Sequence, residues 1–270
     1  MPLQVAAQYY SAFVCHTSGD YRGTEHVCRR LTQLLQGNRI RERFGLSALP
    51  AMWSRAYRAR ALAERGMFDE GDDQGQEAVR IAEAVDHQFS VIFACLGLAY
   101  VNSVRGELSQ AARLLERALA LGRDWNITLM NPVAMASLGH VYAWSGRVGE
   151  GVSLLQQART AHESAGMAWL QTMSLAQLGE AYLLADQLED ARASAEGALT
   201  LAGERGERGY EAWALRLLGE VASHHAHFDV ETAEAHYDAA TALATATTMY
   251  REMGMTFWLE KARAALTSLS

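Results

Sequence analysis

Proline is nearly missing from this chain, with three in 270 residues, and lysine occurs once, at Lys261, against 23 arginines. So little proline in a sequence that is 50% hydrophobic and 20% charged excludes collagen-like or disordered chains and suits long helices. The arginine bias reads as a GC-rich, bacterial genome. Cysteine is scarce too: Cys15, Cys28 and Cys95 have no metal-ligand spacing and cannot all pair. That fits a reducing, cytoplasmic setting. MPLQVAAQYY has no basic flank before an apolar stretch, so no secretory signal is read there. The longest apolar run, Val91 to Val101, is about half of what a bilayer span needs, and no membrane partner is expected.

Catalytic signatures are missing as well. The chain has no G-x-x-x-x-G-K-[ST] phosphate loop, no G-x-G-x-x-G after a strand, no H-E-x-x-H and no G-x-S-x-G. Acidic pairs such as Glu189-Asp190 fall at helix starts, where they complement the helix dipole. No nucleophile, base and oxyanion donor come together, so no catalytic residue and no cofactor is assigned. The net charge of −7 disfavours a generic nucleic-acid binder. It is unevenly spread: residues 1–65 hold ten arginines against four acids, and residues 66–270 hold fourteen basic against twenty-seven acidic residues. This reads either as solvated helix faces of drifting composition or as a basic end that docks on an acidic neighbour.

What the chain does have is a period. Gly139, Gly179 and Gly219 lie 40 residues apart, and counting back by 40 reaches Ala99 and Ala59; a further step of 47 reaches Ala12. Small residues let paired helices approach, so these positions mark helix crossings. Nineteen residues after each anchor comes an alanine, Ala78, Ala118, Ala158 and Ala198, while Ala240 is two residues late, placing a two-residue insertion near Ala226 to Asp229. The surrounding residues match the tetratricopeptide pattern W-x2-L-G-x2-Y…A-x3-F. One hairpin supplies Leu175, Leu178, Gly179, Tyr182, Ala191, Ala195 and Ala198, and another Met135, Leu138, Gly139, Tyr142, Gly151, Leu155 and Ala158. Each repeat is six residues longer than the usual ~34, which implies longer helices.

The expected fold is therefore all-α: a right-handed tetratricopeptide-like (TPR) solenoid of about six helical hairpins with 40-residue repeats and a C-terminal capping helix. The chain reads as one solenoid, residues 1–270, with hairpins at about 3–36, 50–85, 88–124, 131–164, 168–204 and 208–252 and a cap at 255–268. Gly66, Gly106 and Gly146 fall in hairpin turns, connectors are expected near Asp86, Asn126, Gly166 and Gly206, and Asn131-Pro132 reads as an N-cap and first helical residue. The long connector GNRIRERFGLSALP, residues 37–50, reads as a loop tucked over the core, with a partner-docking loop as the alternative.

Longer strings, among them SRAYRARALAERGMFDEG, AGMAWLQTMSLAQLGEAYLLADQLEDA and ERGYEAWALRLLGEVA, carry a wider resemblance. Over most of residues 19–265 the chain resembles the C-terminal TPR region of bacterial multidomain signalling proteins, in which a class III nucleotidyl cyclase or kinase domain precedes a P-loop ATPase-like module. A resemblance to a regulatory region transfers no catalytic residues.

In such solenoids the first helix of each hairpin lines the concave face. Positions one and five residues after each anchor share that face, as does the position three before it. They nominate Arg60, Glu64, Tyr100, His140, Trp144, Glu180, Arg216 and Glu220 as partner-binding residues, an aromatic centre between charged ends. The competing reading makes Tyr100 and Trp144 packing residues and Arg60–Glu64 and Arg216–Glu220 ordinary helix pairs. His224, His225 and His227, near Asp229 and His236, read as a solvated turn rather than a metal site. The function expected is a non-catalytic, regulatory protein–protein interaction or scaffold module, alone or as a piece of a larger signalling protein. It would bind a peptide, a partner domain or upstream domains of a parent chain. A small-ligand sensor is the alternative, and an enzyme with an unrecognised site the third reading.

Overall fold

The computed structural model describes residues 1–225 and 232–267. They form thirteen α-helices and two short 3-10 turns, with no strand among the described residues. Twelve helices pair in sequence: α1 (Pro2–Thr17) with α2 (Tyr21–Leu34), α3 (Pro50–Glu64) with α4 (Phe68–Val85), α5 (Gln88–Arg105) with α6 (Leu108–Asp124), α7 (Asn131–Trp144) with α8 (Val148–Ser164), α9 (Gln171–Leu184) with α10 (Leu188–Arg205), and α11 (Arg208–His225) with α12 (Thr232–Met253). Each hairpin stacks on the next, and α13 (Thr256–Thr267) follows. The protein is an all-helical solenoid.

The sequence period has a direct structural cause. At Gly139 an added Cβ would stand 2.9 Å from the Gly151 carbonyl oxygen, and one at Gly151 would stand 2.6 Å from the Gly139 oxygen. Only two facing glycines let α7 and α8 cross so closely. The same offsets of twelve, sixteen and nineteen residues recur in the other hairpins. Ala59 is followed at these offsets by Gly71, Gly75 and Ala78, Ala99 by Ala111, Leu115 and Ala118, and Gly179 by Ala191, Ala195 and Ala198, and all are buried; Gly71 packs on the Ala59 carbonyl and Gly179 on the Ala191 carbonyl. Ala12 belongs to the set, since Thr24, Cys28 and Leu31 are each fully buried at those offsets.

The sixth hairpin departs from the expected register. Gly219 packs on the Ala239 carbonyl and Leu243, and Ala246 is the third buried position, while Ala240 is only half-buried. The insertion is therefore eight residues rather than two, because Ala239, Leu243 and Ala246 each lie eight beyond the regular offsets. The turn assigned to Ala226 to Asp229 lies outside the described residues.

Helix ends follow local chemistry. Gly106 ends α5 at φ +93°, with Glu107 N–H bonded to Asn102 O at 2.8 Å, a left-handed stop that glycine adopts without strain. Gly66 and Gly146 do the same after α3 and α7, and Asp186 stands at φ +57° in the equivalent turn after α9. Asp86, Asn126, Gly166 and Gly206 are the left-handed residues of the connectors between hairpins. Asn131 is the first residue of α7 rather than its cap, one position earlier than its Asn-Pro signature suggests.

The long connector folds over the core: Phe44 and Leu46 pack on Val5, Leu31, Leu35 and Ala51, and Leu49 is buried. Part of the N-terminal arginine surplus is taken up internally, where Arg29, Arg65 and Arg58 surround Glu25, Arg65 at 2.5 Å and Arg58 at 3.7 Å. Among the described residues α5 alone is long and apolar enough to cross a membrane, yet 67% of it is buried inside the stack.

The superhelix closes on itself. Gly19, in the first hairpin's turn, lies so near the end of α12 that an added Cβ would be 2.6 Å from Met253 Sδ. The start of α13 reaches the end of α3, where Thr256 Oγ1 donates to the Arg65 carbonyl at 2.7 Å. Thus α13 covers the last hairpin and also bridges to the second one.

Candidate functional site

The first helices α3, α5, α7, α9 and α11 present their repeat-equivalent residues to a common interior, and the period decides which of them meet. His140 and Glu180 occupy the same position in successive repeats, and His140 Nε2 lies 2.9 Å from Glu180 Oε2. Glu180 also accepts from Arg216, one turn earlier in the next repeat, at 2.8 Å. Arg216 in turn donates to Glu220 at 2.6 Å. Burial alone would raise the Glu180 carboxyl, but Arg216 and His140 outweigh it and hold the pKa at about 2. Burial would lower Arg216, yet Glu220 and Glu180 drive its pKa upward. Only 3% of Arg216 is exposed, so this is a buried ion network rather than a surface pair.

The second cluster joins α13 to α3 and α5. Glu64 accepts from the Tyr100 hydroxyl and, through its other oxygen, from Trp258 Nε1 of α13 at 3.0 Å. Burial raises the Glu64 pKa, only partly offset by Tyr100, Arg60 and Trp258. The Arg60 guanidinium lies over the Tyr100 ring at 4.8 Å and the Tyr57 ring at 5.7 Å. Arg216 lies over Trp258 at 5.5 Å, and Lys261 Nζ sits 5.0–5.2 Å from the rings of Trp144, Phe257 and Trp258. Burial lowers the Lys261 pKa, with Glu180 acting in the opposite direction.

Two spaces result. An open cleft of about 420 Å³ at the rim is bounded by Trp144, Leu184, Glu220, Phe257, Lys261 and Arg105. Leu184 there is 49% exposed. A more enclosed cavity of about 120 Å³ lies deeper, walled by Tyr57, Arg60, Tyr100, His140, Trp213 and Trp258 among others. Six residues of its lining each carry a polar atom buried without a partner: His16 Nε2, Arg60 Nε, Gln177 Oε1, Glu207 Oε2, Trp213 Nε1 and Tyr250 Oη. A buried polar group left unpaired costs about 1–3 kcal/mol, so such a concentration is unusual for a packed core. Burial and the nearby Arg60 push the His16 pKa well down, leaving the imidazole neutral.

All eight nominated residues face this interior, but in separate settings. Arg60, Glu64, Tyr100 and His140 line the enclosed cavity, Trp144 borders both spaces, Glu180 and Glu220 line the cleft, and Arg216 is buried between them. Tyr100 is tied to Glu64, and Trp144 packs at a tilt against His140 with ring centres 4.3 Å apart. Arg216–Glu220 is an i,i+4 pair, as the packing alternative supposed, but one extended inward to Glu180. Trp258, Lys261, Trp213 and Gln177 were not nominated, and for α13 no periodic signal exists, because it has no repeat-mate. His224 is exposed; His227 and Asp229 lie outside the described residues, and no metal-holding cluster of His, Cys, Asp or Glu occurs among the described ones.

No family model and no curated protein matches the chain. Solved structures do. A Rap protein complexed with Competence and Sporulation Factor superimposes with a TM-score of 0.65 at 13% identity, covering 99% of this chain and 77% of that one. The Rap conjugation gene regulator of plasmid pLS20, in complex with the Phr* peptide, gives 0.64 at 15% identity, covering 97% and 73%. The fold is a TPR-like solenoid. A third similar structure, a signal transduction ATPase with numerous domains and a tetratricopeptide repeat sensor from Pyrococcus horikoshii, gives 0.55 at 13% identity and covers 98% of this chain and 42% of that one.

Proposed function

We propose that this protein is a non-catalytic, regulatory interaction module that takes a peptide or partner segment in the open cleft beside α13. The observation that carries the reading is the composition of that cleft. An exposed Leu184 and the half-buried Trp144 and Phe257 offer apolar anchorage, and Arg105, Lys261 and Glu220 offer charges of both signs at its edge. Aromatic anchors ringed by charge suit an extended segment. The similar solenoids solved with Competence and Sporulation Factor and with the Phr* peptide support the same class of ligand. Because the third is described as a sensor within a signalling ATPase, upstream domains of a longer parent are included among the partners proposed.

The test is selection from a random peptide library on wild-type protein, followed by binding to Leu184→Glu and Trp144→Ala. Selected peptides should lose at least tenfold in affinity on both variants, since a buried anchor typically contributes ≥ ~1.4 kcal/mol. Peptides that bind all three proteins alike would place the partner surface elsewhere.

A further inference from the structure

We infer that the outer face of α1 pairs with the same face of a second copy of this chain, the two helices running antiparallel about a two-fold axis. This goes beyond the peptide reading and does not rest on it, because no residue of α1 borders the open cleft. Two stripes of one spacing run along α1. Val5, Tyr9, Ala12 and His16 follow one another by four, three and four residues and face the stack: Val5 and Ala12 are fully buried, Tyr9 lies on the Trp53 ring, and His16 is 8% exposed. Leu3, Ala7, Tyr10 and Val14 repeat that spacing on the opposite side of the helix. All four are exposed, Leu3 to 87%, Val14 to 60% and Tyr10 to 58%. No Asp, Glu, Lys or Arg occurs in the helix. The same is true of α7, which is sandwiched between α5 and α9 with nine of its fourteen residues buried. By contrast α1 packs on α2 and α3, and three of its sixteen residues are buried. It has the composition of an interior helix and the place of an end one.

Order, charge and area of the outer stripe favour a second copy as its occupant. Its four-three-four spacing is that of a coiled-coil seam, and the order of its side chains is self-complementary. With the two-fold axis between residues 8 and 9, Leu3 of one copy meets Val14 of the other and Ala7 meets Tyr10, so the smallest side chain stands opposite the largest. Charge agrees with this. A two-fold axis brings every charge towards its own duplicate, and this helix brings none, while an acidic or basic partner would find no counter-charge on it. Area sets the strength. The exposed parts of the four side chains come to roughly 300 Å² of apolar surface per copy. Interfaces are a little over half apolar, so the pair buries roughly 1,000 Å² over both copies, the lower limit for a specific dimer. Both helices are already formed in their hairpins, so no folding cost is added on association.

Sedimentation velocity on the untagged protein, run from about 1 to 200 μM, reads the association, and the wild type should dimerise with a micromolar dissociation constant. Leu3→Lys and Val14→Glu each replace an exposed side chain, so both variants should melt as the wild type does. Alone, each should weaken dimerisation at least about tenfold, because its charge faces an apolar side chain of the other copy. Mixed in equal amounts, the two variants should associate at least about tenfold more tightly than either does by itself. The mixed pair sets one introduced charge against the other at one end and keeps Leu3 against Val14 at the other. A monomer at every concentration would overturn the pairing and give this face to a different partner. A dimer indifferent to both substitutions would place the contact elsewhere. Variants that each lose the dimer without regaining it on mixing would overturn the antiparallel arrangement.

Discussion

His140 and Glu180 stand 40 residues apart in the chain, at one position of successive repeats, and lie 2.9 Å from each other in the fold. Tyr100–Glu64 and Arg216–Glu180 are each 36 residues apart and join a helix to the preceding one a single turn lower. The interior network is therefore written in the repeat itself, in two sequence separations.

The first prediction concerns acid stability. Glu180, at about 2, lies below the ordinary carboxylate range, so its contribution is complete above the unfolded pKa of ~4.3 and is lost as pH falls through about 2. Glu64 is shifted the other way, and its protonation on acidification favours the fold. Urea titrations between neutral pH and pH ~3 should show Glu180→Gln losing on the order of 3 kcal/mol at neutrality, with the gap to wild type narrowing in acid. Glu64→Gln should cost far less at neutrality. Equal pH profiles for the two variants would contradict the network.

The bridge from α13 to α3 can be weighed by two substitutions. Trp258→Phe keeps most of the packing but strands the Glu64 oxygen that accepts its indole N–H, at a cost of about 1–3 kcal/mol. Trp258→Ala adds a cavity and should cost roughly 3–5 kcal/mol. Chemical denaturation followed by circular dichroism reads both. If either leaves stability within about 0.5 kcal/mol of wild type, the bridge contributes nothing to the fold.

Trp144 and Leu138 should separate binding from packing. Leu138 is 4% exposed, and Leu138→Ala should lose about 2–5 kcal/mol of stability. Trp144, half-buried at the rim, should lose less on truncation to alanine, while affinity for cleft peptides falls at least about tenfold. Thermal melts beside peptide titrations check the pair; a Trp144→Ala protein that melts like Leu138→Ala would return Trp144 to the core.

Two glycines make a matched test of helix crossing. Gly139→Ala drives a Cβ to 2.9 Å from the Gly151 oxygen and the Leu155 side chain and should destabilise by about 1–3 kcal/mol. Gly203, inside α10, has nothing within 4 Å of an added Cβ, and Gly203→Ala should stabilise by up to about 1 kcal/mol. Melting temperatures should move in opposite directions.

The stack was legible in the sequence because helix crossings impose small residues at fixed spacing, and the interior positions of α3 to α11 follow by counting turns from those anchors. Two things escaped. In α12 alanines are so frequent that Ala240 offered a false register next to Ala239. The seat of Trp258 escaped because it depends on the summed curvature of six hairpins, which no local pattern encodes. For the same reason Gln177 and Trp213, ordinary helix residues by spacing, became wall residues only once the ends met.

A linear array of repeats unzips from its termini, since each outermost unit has a neighbour on one side alone. Here the hook between Trp258 and Glu64 spans 194 residues and leaves the array without a loose end at α13. Fraying of the last hairpin must first break a contact with the second one, so its loosening is felt almost at the other end of the chain. Such a molecule should melt as one cooperative unit instead of peeling, and it should fold slowly for a helical protein, because its closing contact is among the most distant in sequence.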